Sequence, residues 1–371
     1  MRILQIIDSL GFGGAEVLLR GMTPLFRTRG VDCDVVTLLR TGSSLEKALQ
    51  AEGVPLSFTG SPKLYSPRQI FSLAKLMRGY DVIHVHLFPA QLWAVLAAAF
   101  SRSNVPLVST EHNTWNRRRD WPLRRFDRWM YSHYRQIACN SEATAEELVR
   151  WCPHIAARIR VIPNGIPIRT FEDAEPVELP DIPSDAARII FVGRFEPQKD
   201  HATVLRALPS VSNAHLLLVG DGPLRPQLQQ IAHSLGIADR VTFLGWRNDI
   251  AGLLKASHLY VHSTTSDGFG IAACEAMAAG LPILASNVPG LAQVVEGAGI
   301  LFPVGNENML ARELTALIQS PDRRLKMSQA SRQRAQQFSI DRTVDACIQM
   351  YVSVLGVSPP TLARHYDQRR C

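Results

Sequence analysis

The stretch Ser263–Pro282, STTSDGFGIAACEAMAAGLP, follows an apolar run, carries Asp267 and Glu275 eight residues apart, and sets a Gly-Phe-Gly turn between them. Glycine just past a helix with proline soon after is a stop signal, so a helix is expected from about Ile271 to Ala279, ended by Gly280-Leu281-Pro282. Glu275 then stands one turn inside that helix and Asp267 just before it. The turn amides of Gly268, Phe269, Gly270 and Ile271 share their side. Anion donors thus lie beside two carboxylates able to accept from vicinal hydroxyls such as those of ribose or a hexose. Taken alone, a capping acid followed by a solvated helix glutamate is the simpler reading of such a pair.

Outward from this stretch the chain alternates short apolar runs with longer amphipathic ones. RILQII, CDVVTLL, DVIHVH, VPLVST and QIACNS fall in the first half, and RIIFVG, AHLLLVG, RVTFLG, HLYVHS and LPILAS in the second. Nearly continuous apolar strands separated by helical stretches read as βα units around parallel sheets covered on both faces. A chain of 371 residues also exceeds what one core usually supports. The fold class expected is α/β, with two Rossmann-like doubly wound domains. Residues 1–166 form the first and 188–338 the second, and the proline- and acid-rich segment 167–187 is read as the linker. A terminal helix is expected over 339–356, and 357–371 as a frayed tail.

Composition narrows the classes. The chain is 46% hydrophobic and 20% charged, as globular proteins are. Its apolar run Leu92–Phe100 is far shorter than the ~20 residues of a membrane helix, and no signal peptide is read at the start. Six scattered cysteines show no metal-ligand spacing, which suits reduced thiols in the cytoplasm. A net charge of +7 favours anionic partners without choosing among them.

Two glycine turns follow the first strands of the two halves. Gly11-Phe12-Gly13-Gly14-Ala15-Glu16 joins a strand to a helix N-terminus, where unpaired amides and the helix dipole converge on an anion. Glu16 stands where a dinucleotide fingerprint needs a small residue, and no acid follows at the end of the second strand, which disfavours a dehydrogenase. A tight turn without ligand is the plainer alternative. The second turn, Gly193–His201, sets Arg194 and Lys199 five apart at the carboxyl end of a strand. A planar fork and a point charge together suit a diphosphate, although the same pair also suits a solvated loop. His84 and His86 lie on one strand face and, with no third ligand near in sequence, are read as packing residues.

Nine motifs, in order, resemble the retaining family 4 glycosyltransferases, also called glycosyltransferase group 1. They are GGAE (13–16), DVIHVH (81–86), STEH (109–112), NSE (140–142), VIPNGI (161–166), GRFEPQKD (193–200), LLVGDGPL (217–224), FLGW (243–246) and DGFGIAACEAMAAGLPILAS (267–286). The resemblance implies a GT-B fold, two Rossmann-like domains facing across a cleft, with the terminal helix returning to the first. It implies that Arg194 and Lys199 hold the donor diphosphate, with the amides of Gly13 and Gly14 and of Gly268 to Ile271 as further donor contacts. Glu275 matches the ribose-binding glutamate. Asp267 stands in place of the family's first glutamate, one methylene shorter. His112 matches the histidine near the donor sugar, and Gly245, Trp246 and Arg247 are expected near the base.

The activity so implied is retaining transfer of a sugar from a nucleotide sugar to a saccharide or lipid-linked acceptor, in cell-surface polysaccharide or lipopolysaccharide assembly. No cofactor and no metal are expected, because Arg194 and Lys199 supply the positive charge. Trp115–Tyr131 mixes six arginines with aromatic residues. Its Arg117–Arg128 portion reads either as a contact with an anionic membrane surface, placing the protein on the inner face of the membrane, or as a solvated helix. No nucleic-acid motif accompanies it. An epimerase of similar architecture and a non-catalytic nucleotide-sugar-binding protein are the alternatives.

Overall fold

The structure is a computed structural model and describes residues 1–11, 13–114 and 123–357. Contacts divide the chain into two compact units, Met1–His112, Asn116–Gly165 and Ile340–Cys371 in the first, Asn113–Trp115 and Ile166–Ser339 in the second.

The first unit runs β1 (Arg2–Ile7), α1 (Gly14–Thr28), β2 (Asp32–Thr37), α2 (Ser44–Ala51), β3 (Leu56–Phe58), α3 (Arg68–Leu76), β4 (Val82–His86), α4 (Ala90–Ser101), β5 (Leu107–Glu111), α5 (Arg124–Ser132), β6 (Tyr134–Cys139), α6 (Glu142–Trp151) and β7 (Ile159–Val161). Among the described residues its sheet is parallel, in the order β3-β2-β1-β4-β5-β6-β7. Ile3, Leu4, Ile6 and Ile7 of β1 are all buried, which is why this strand reads as a run rather than an alternation.

The second unit runs α7 (Ile168–Glu172), β8 (Ala187–Val192), α8 (His201–Ala207), β9 (Ala214–Val219), α9 (Arg225–Ser234), β10 (Val241–Gly245), α10 (Ile250–Lys255), β11 (Leu259–His262), α11 (Ile271–Ala279), β12 (Ile283–Ser286), α12 (Pro289–Val294), β13 (Gly299–Phe302), α13 (Glu307–Ile318) and α14 (Pro321–Ala335). Its sheet is again parallel, ordered β10-β9-β8-β11-β12-β13. Each sheet therefore has one place where neighbouring strands lead away in opposite directions, between β1 and β4 and between β8 and β11. At such a place the chain segments leaving the strand ends splay apart and open a crevice.

The last helix, α15 (Ile340–Leu355), belongs to the first unit, where it packs on α1 and β6. Its buried Tyr351 meets Phe26 of α1 with ring centroids 5.8 Å apart. Arg29, just past α1, bonds Asp341 and Asp345 at 2.6 Å each. Segment 167–187 differs from the linker expectation. Ile168, Phe171, Ile182 and Ala186 are buried in the core of the second unit, and Val177 N donates to Gly252 O at 3.2 Å. Those apolar residues follow no regular period, so prolines and acids dominated the sequence reading.

Among the described residues no helix is long and apolar enough to cross a membrane.

Candidate functional site

In the second unit the crevice between β8 and β11 collects most of the expected residues. Strand β8 ends at Val192 and turns through Gly193-Arg194 into a short 3-10 turn ending at Lys199. That turn is backed by the end of β9. Gly193 N donates to Val219 O and Phe195 N to Asp221 O. Gly220 holds φ +127°, and a Cβ there would lie 2.1 Å from Gly193 O, so only glycine lets the two turns approach. The VGDGPL motif is thus the support beneath Arg194.

The turn is tied to the loop leaving β11. Ser263 Oγ donates to Asp200 O at 2.8 Å, Thr264 Oγ1 to Gln198 O at 2.8 Å, and Gln198 Nε2 to Ser266 O at 2.6 Å. This clamp brings Lys199 Nζ to 2.5 Å from Asp267 Oδ2. His262, the last residue of β11, donates through Nε2 to the same oxygen at 3.1 Å, and its Nδ1 lies 3.0 Å from the Tyr260 hydroxyl. A carboxylate only accepts, so His262 carries its proton on Nε2 and Tyr260 donates to Nδ1. Burial and the Lys199 charge lower the His262 pKa, which keeps the ring neutral. Burial opposes ionisation of Asp267, but the Lys199 ammonium and His262 outweigh it and hold the carboxyl well below the usual range. Neither His262 nor Tyr260 was singled out in the sequence. The signal was present in HLYVHS, a strand ending at the crevice.

Asp267 Oδ1 accepts from Phe269 N at 3.1 Å. This corrects one expectation, since the Phe269 amide is engaged within the loop instead of facing outward. The Phe269 ring is buried edge-on against Phe338 at 5.3 Å. Gly270, at φ +86°, precedes α11, where no side chain caps the end; Ala273 N donates to Gly270 O at 3.0 Å, and the amides of Ile271 and Ala272 have no side-chain cap. Gly268 sits under α12, where a Cβ on Gly290 would lie 2.5 Å from Gly268 O. Glu275 lies on α11, and burial raises its carboxyl to about 7.

Arg194 is not drawn into this cluster. Its guanidinium pairs with Glu196 at 2.9 Å and stays half exposed. Gly245 closes β10, with Trp246 exposed beside it, and both arms of Arg247 bond Asp249, at 2.8 and 2.5 Å.

In the first unit, Gly13 precedes α1 without a side-chain cap, and Glu16 folds back against it, filling the space where a Cβ on Gly13 would stand. Phe12 lies outside the described residues. His112 follows β5, is buried, and has its carbonyl pinned by Asn140 Nδ2 at 2.8 Å. His86 Nδ1 lies 3.1 Å from His112 Nε2, so His86 is a polar partner of the predicted site residue as well as a packed one. Both ring nitrogens of His84 and of His86 are taken by hydrogen bonds. Among the described residues no group of three or more His, Cys, Asp or Glu side chains is arranged to hold a metal ion. Of the Arg117–Arg128 segment, residues up to Pro122 lie outside the described residues.

Comparison with known proteins adds findings of three kinds. The model of Glycosyltransferase Family 4 matches residues 12–170, and that of Glycosyl transferases group 1 matches residues 177–334. The lipopolysaccharide core biosynthesis glycosyltransferase LpsD of Rhizobium meliloti (strain 1021) is 32% identical over 56% of this chain and 63% of its own length. The chain thus spans rather less than two thirds of that relative. The D-inositol 3-phosphate glycosyltransferase of Gordonia bronchialis is 29% identical over 91% of this chain and 83% of its own. Among solved structures, Anabaena Alr3699/HepE in complex with UDP and glucose shares the fold with a TM-score of 0.83 at 23% identity, over 95% of this chain and all of that one.

The charge cluster makes a stability prediction. Asp267→Asn leaves Lys199 without its counter-charge. The loss is expected to be roughly 2 kcal/mol at pH 7, less than the ~3–5 kcal/mol of a fully buried pair because the ammonium keeps some water. The native Asp267 pKa is depressed, so its contribution is present above the usual carboxyl range and fades as pH falls below ~4. Urea unfolding of both proteins from pH 7 to pH 3 should show the gap narrowing, and a constant gap would remove the charge explanation.

Proposed function

Because the chain belongs to the group 1 glycosyltransferases, we propose that it transfers a sugar, with retention at the anomeric carbon, from a nucleoside-diphosphate donor to a saccharide or lipid-linked acceptor. Assembly of lipopolysaccharide or another cell-surface polysaccharide is the setting we favour, as relatives named for lipopolysaccharide core biosynthesis suggest. The observation that carries the reading is the crevice at the ends of β8 and β11. Lys199, Asp267 and the uncapped start of α11 converge there, with Arg194 on the adjoining turn.

In this reading the donor diphosphate draws Arg194 away from Glu196 and shares Lys199 with Asp267. The fork of the one, the ammonium of the other and the first-turn amides of α11 stabilise the charge that grows on the leaving phosphate. No metal is required. Asp267 uses three of about four acceptor positions on Lys199, His262 and the Phe269 amide, which leaves room for one sugar hydroxyl. Glu275 accepts from the ribose diol, and His112 in the first unit contacts the transferred sugar. The bond from the anomeric carbon to the diphosphate breaks, a bond to the acceptor oxygen forms on the same face, and the acceptor proton passes to the departing phosphate. Alr3699/HepE, solved in complex with UDP and glucose, supports a sugar nucleotide as the donor class.

A contact with anionic membrane fits the acceptor class. On α5, Trp129 is exposed beside Arg125 and Arg128, with Leu123 exposed just before the helix. Phe71 of α3 and Phe100 of α4 are also exposed and meet edge to face at 5.0 Å. Aromatic and basic side chains together suit a lipid interface.

Three outcomes are expected. Arg194→Ala should lower the transfer rate by roughly 10²–10³-fold, the scale of one lost electrostatic donor, while circular dichroism and Tm stay unchanged. Near-normal turnover would count against the donor site. The Glu275 pKa is raised in the free protein and diol binding favours the ionised form, so affinity for a sugar nucleotide should rise about tenfold from pH 6 to pH 8. Calorimetric titration checks this, and Glu275→Gln should flatten the profile. Finally, vesicles containing phosphatidylglycerol should sediment the protein at low salt and pure phosphatidylcholine vesicles should not. Equal recovery from both would remove the membrane surface from the proposal.

A further inference from the structure

Six of the polar side chains buried in the first unit, Thr110, His84, Tyr351, Gln5, His86 and His112, form one continuous hydrogen-bonded chain. Thr110 Oγ1 lies 2.7 Å from His84 Nε2, and His84 Nδ1 lies 2.7 Å from the Tyr351 hydroxyl. Gln5 Nε2 donates to that hydroxyl at 3.2 Å, while Gln5 Oε1 lies 2.8 Å from His86 Nε2. His86 Nδ1 then meets His112 Nε2 at 3.1 Å. The chain stops there. His112 Nδ1 is buried and has no partner among the described residues.

Backbone register explains how six residues far apart in sequence line up. Gln5 of β1 is the pairing partner of His84 on β4, and His86 of β4 is the partner of Thr110 on β5. Side chains two apart on β4 share a face, so the rings of His84 and His86 lie 4.3 Å apart. Tyr351, from α15, bridges His84 and Gln5 in the middle of the chain, and Thr110 stands at the end opposite His112.

The direction of each bond follows from proton counting. Gln5 donates through its amide nitrogen, so its carbonyl oxygen accepts, and the proton it accepts is the one on His86 Nε2. Burial keeps the three histidines neutral, with His84 lowered to about 3, His112 to about 4 and His86 well below its ordinary value. A neutral imidazole protonated at Nε2 has a lone pair at Nδ1, so His112 must bring its own proton on Nε2. The lone pair then falls on His112 Nδ1. Turning the Gln5 amide over would reverse every bond and leave a buried N–H without an acceptor at that atom. Orphaned buried N–H groups are rarer than under-used acceptors, which favours the first direction.

We propose that Gln5 and His86 are positioning residues that lock the tautomer of His112, so that its Nδ1 offers a lone pair to a hydroxyl proton of the bound sugar. This rests on the reading of His112 as a substrate contact and extends it. Specificity follows from the direction of the bond. A site prepared as an acceptor favours a sugar with a hydroxyl at that position and discriminates against its deoxy or O-methyl analogue, either of which leaves the buried lone pair unmet.

The test uses the full chain labelled with 15N. Long-range proton–nitrogen correlation spectra of the unliganded protein report which imidazole nitrogen carries the proton, and the loss of a pattern in His112→Gln assigns it. His112 is expected in the Nε2–H form, and Gln5→Met, similar in size but without either polar end, is expected to give a tautomer mixture. Transfer from UDP-, GDP- or ADP-sugars should then fall about 10-fold, the lower end of what outer-shell partners of a site residue cost. The loss should lie mainly in kcat, at a similar Tm. Ile6→Val on the same strand serves as control for general loosening and should change neither the tautomer nor kcat. A wild-type His112 protonated at Nδ1, a tautomer unmoved by Gln5→Met, or a moved tautomer with unchanged transfer would each overturn the proposal. The tautomer is read without substrate, so its failure is separable from failure of the transfer reading, which the unmodified protein reports through its own activity.

Discussion

An ammonium and a carboxylate set at the half-dry end of a parallel sheet lose hydration that only their mutual contact returns. The contact between Lys199 and Asp267 therefore dictates how its surroundings are built. Both residues lie on loops, and each loop is fixed by hydroxyl and amide bonds from Ser263, Thr264 and Gln198 in addition to the buried rings of Phe195 and Phe269. His262 fills a remaining acceptor position of the carboxylate, and Tyr260 orients His262 from behind. The neutral ring suits this place. A second cation there would compete with Lys199, whereas a neutral donor completes the carboxylate without adding charge. What stays exposed is the part of the ammonium still able to meet an incoming anion.

The first unit solves a different problem with the same topology. It places three neutral histidines whose protons are ordered by one amide. Charged groups in the second unit suit a ligand with formal negative charge, and directional neutral groups in the first suit hydroxyls. Rossmann-like topology alone predicts a ligand at each crevice but not its chemistry, which comes from the side chains at the strand ends.

Much of this was legible in the sequence because local signals agreed with one another. The helix of the opening stretch spans Ile271–Ala279 as its glycines imply, and the alternation of strands and helices gave both sheets. Pairing across the sheets was not legible. Nothing in RILQII tells that Gln5 faces His84, since register depends on which strands become neighbours. His262 escaped notice for a related reason, because its role requires Asp267 to fold back from the following loop. The burial of Ile168, Phe171, Ile182 and Ala186 within segment 167–187 was not legible either, because these apolar residues follow no period.

Aspartate at position 267, where the resemblance calls for glutamate, has a local physical account. Its Oδ1 accepts from the amide two residues on, the turn geometry that aspartate forms and that a side chain one methylene longer does not reach in the same way. Its Oδ2 meanwhile holds Lys199 and His262. The shorter acid thus braces the Gly-Phe-Gly turn from within, and this is why the Phe269 amide is engaged inside the loop. A glutamate there would trade that brace for reach. Aspartate shifts the balance toward a rigid loop with one acceptor position left over.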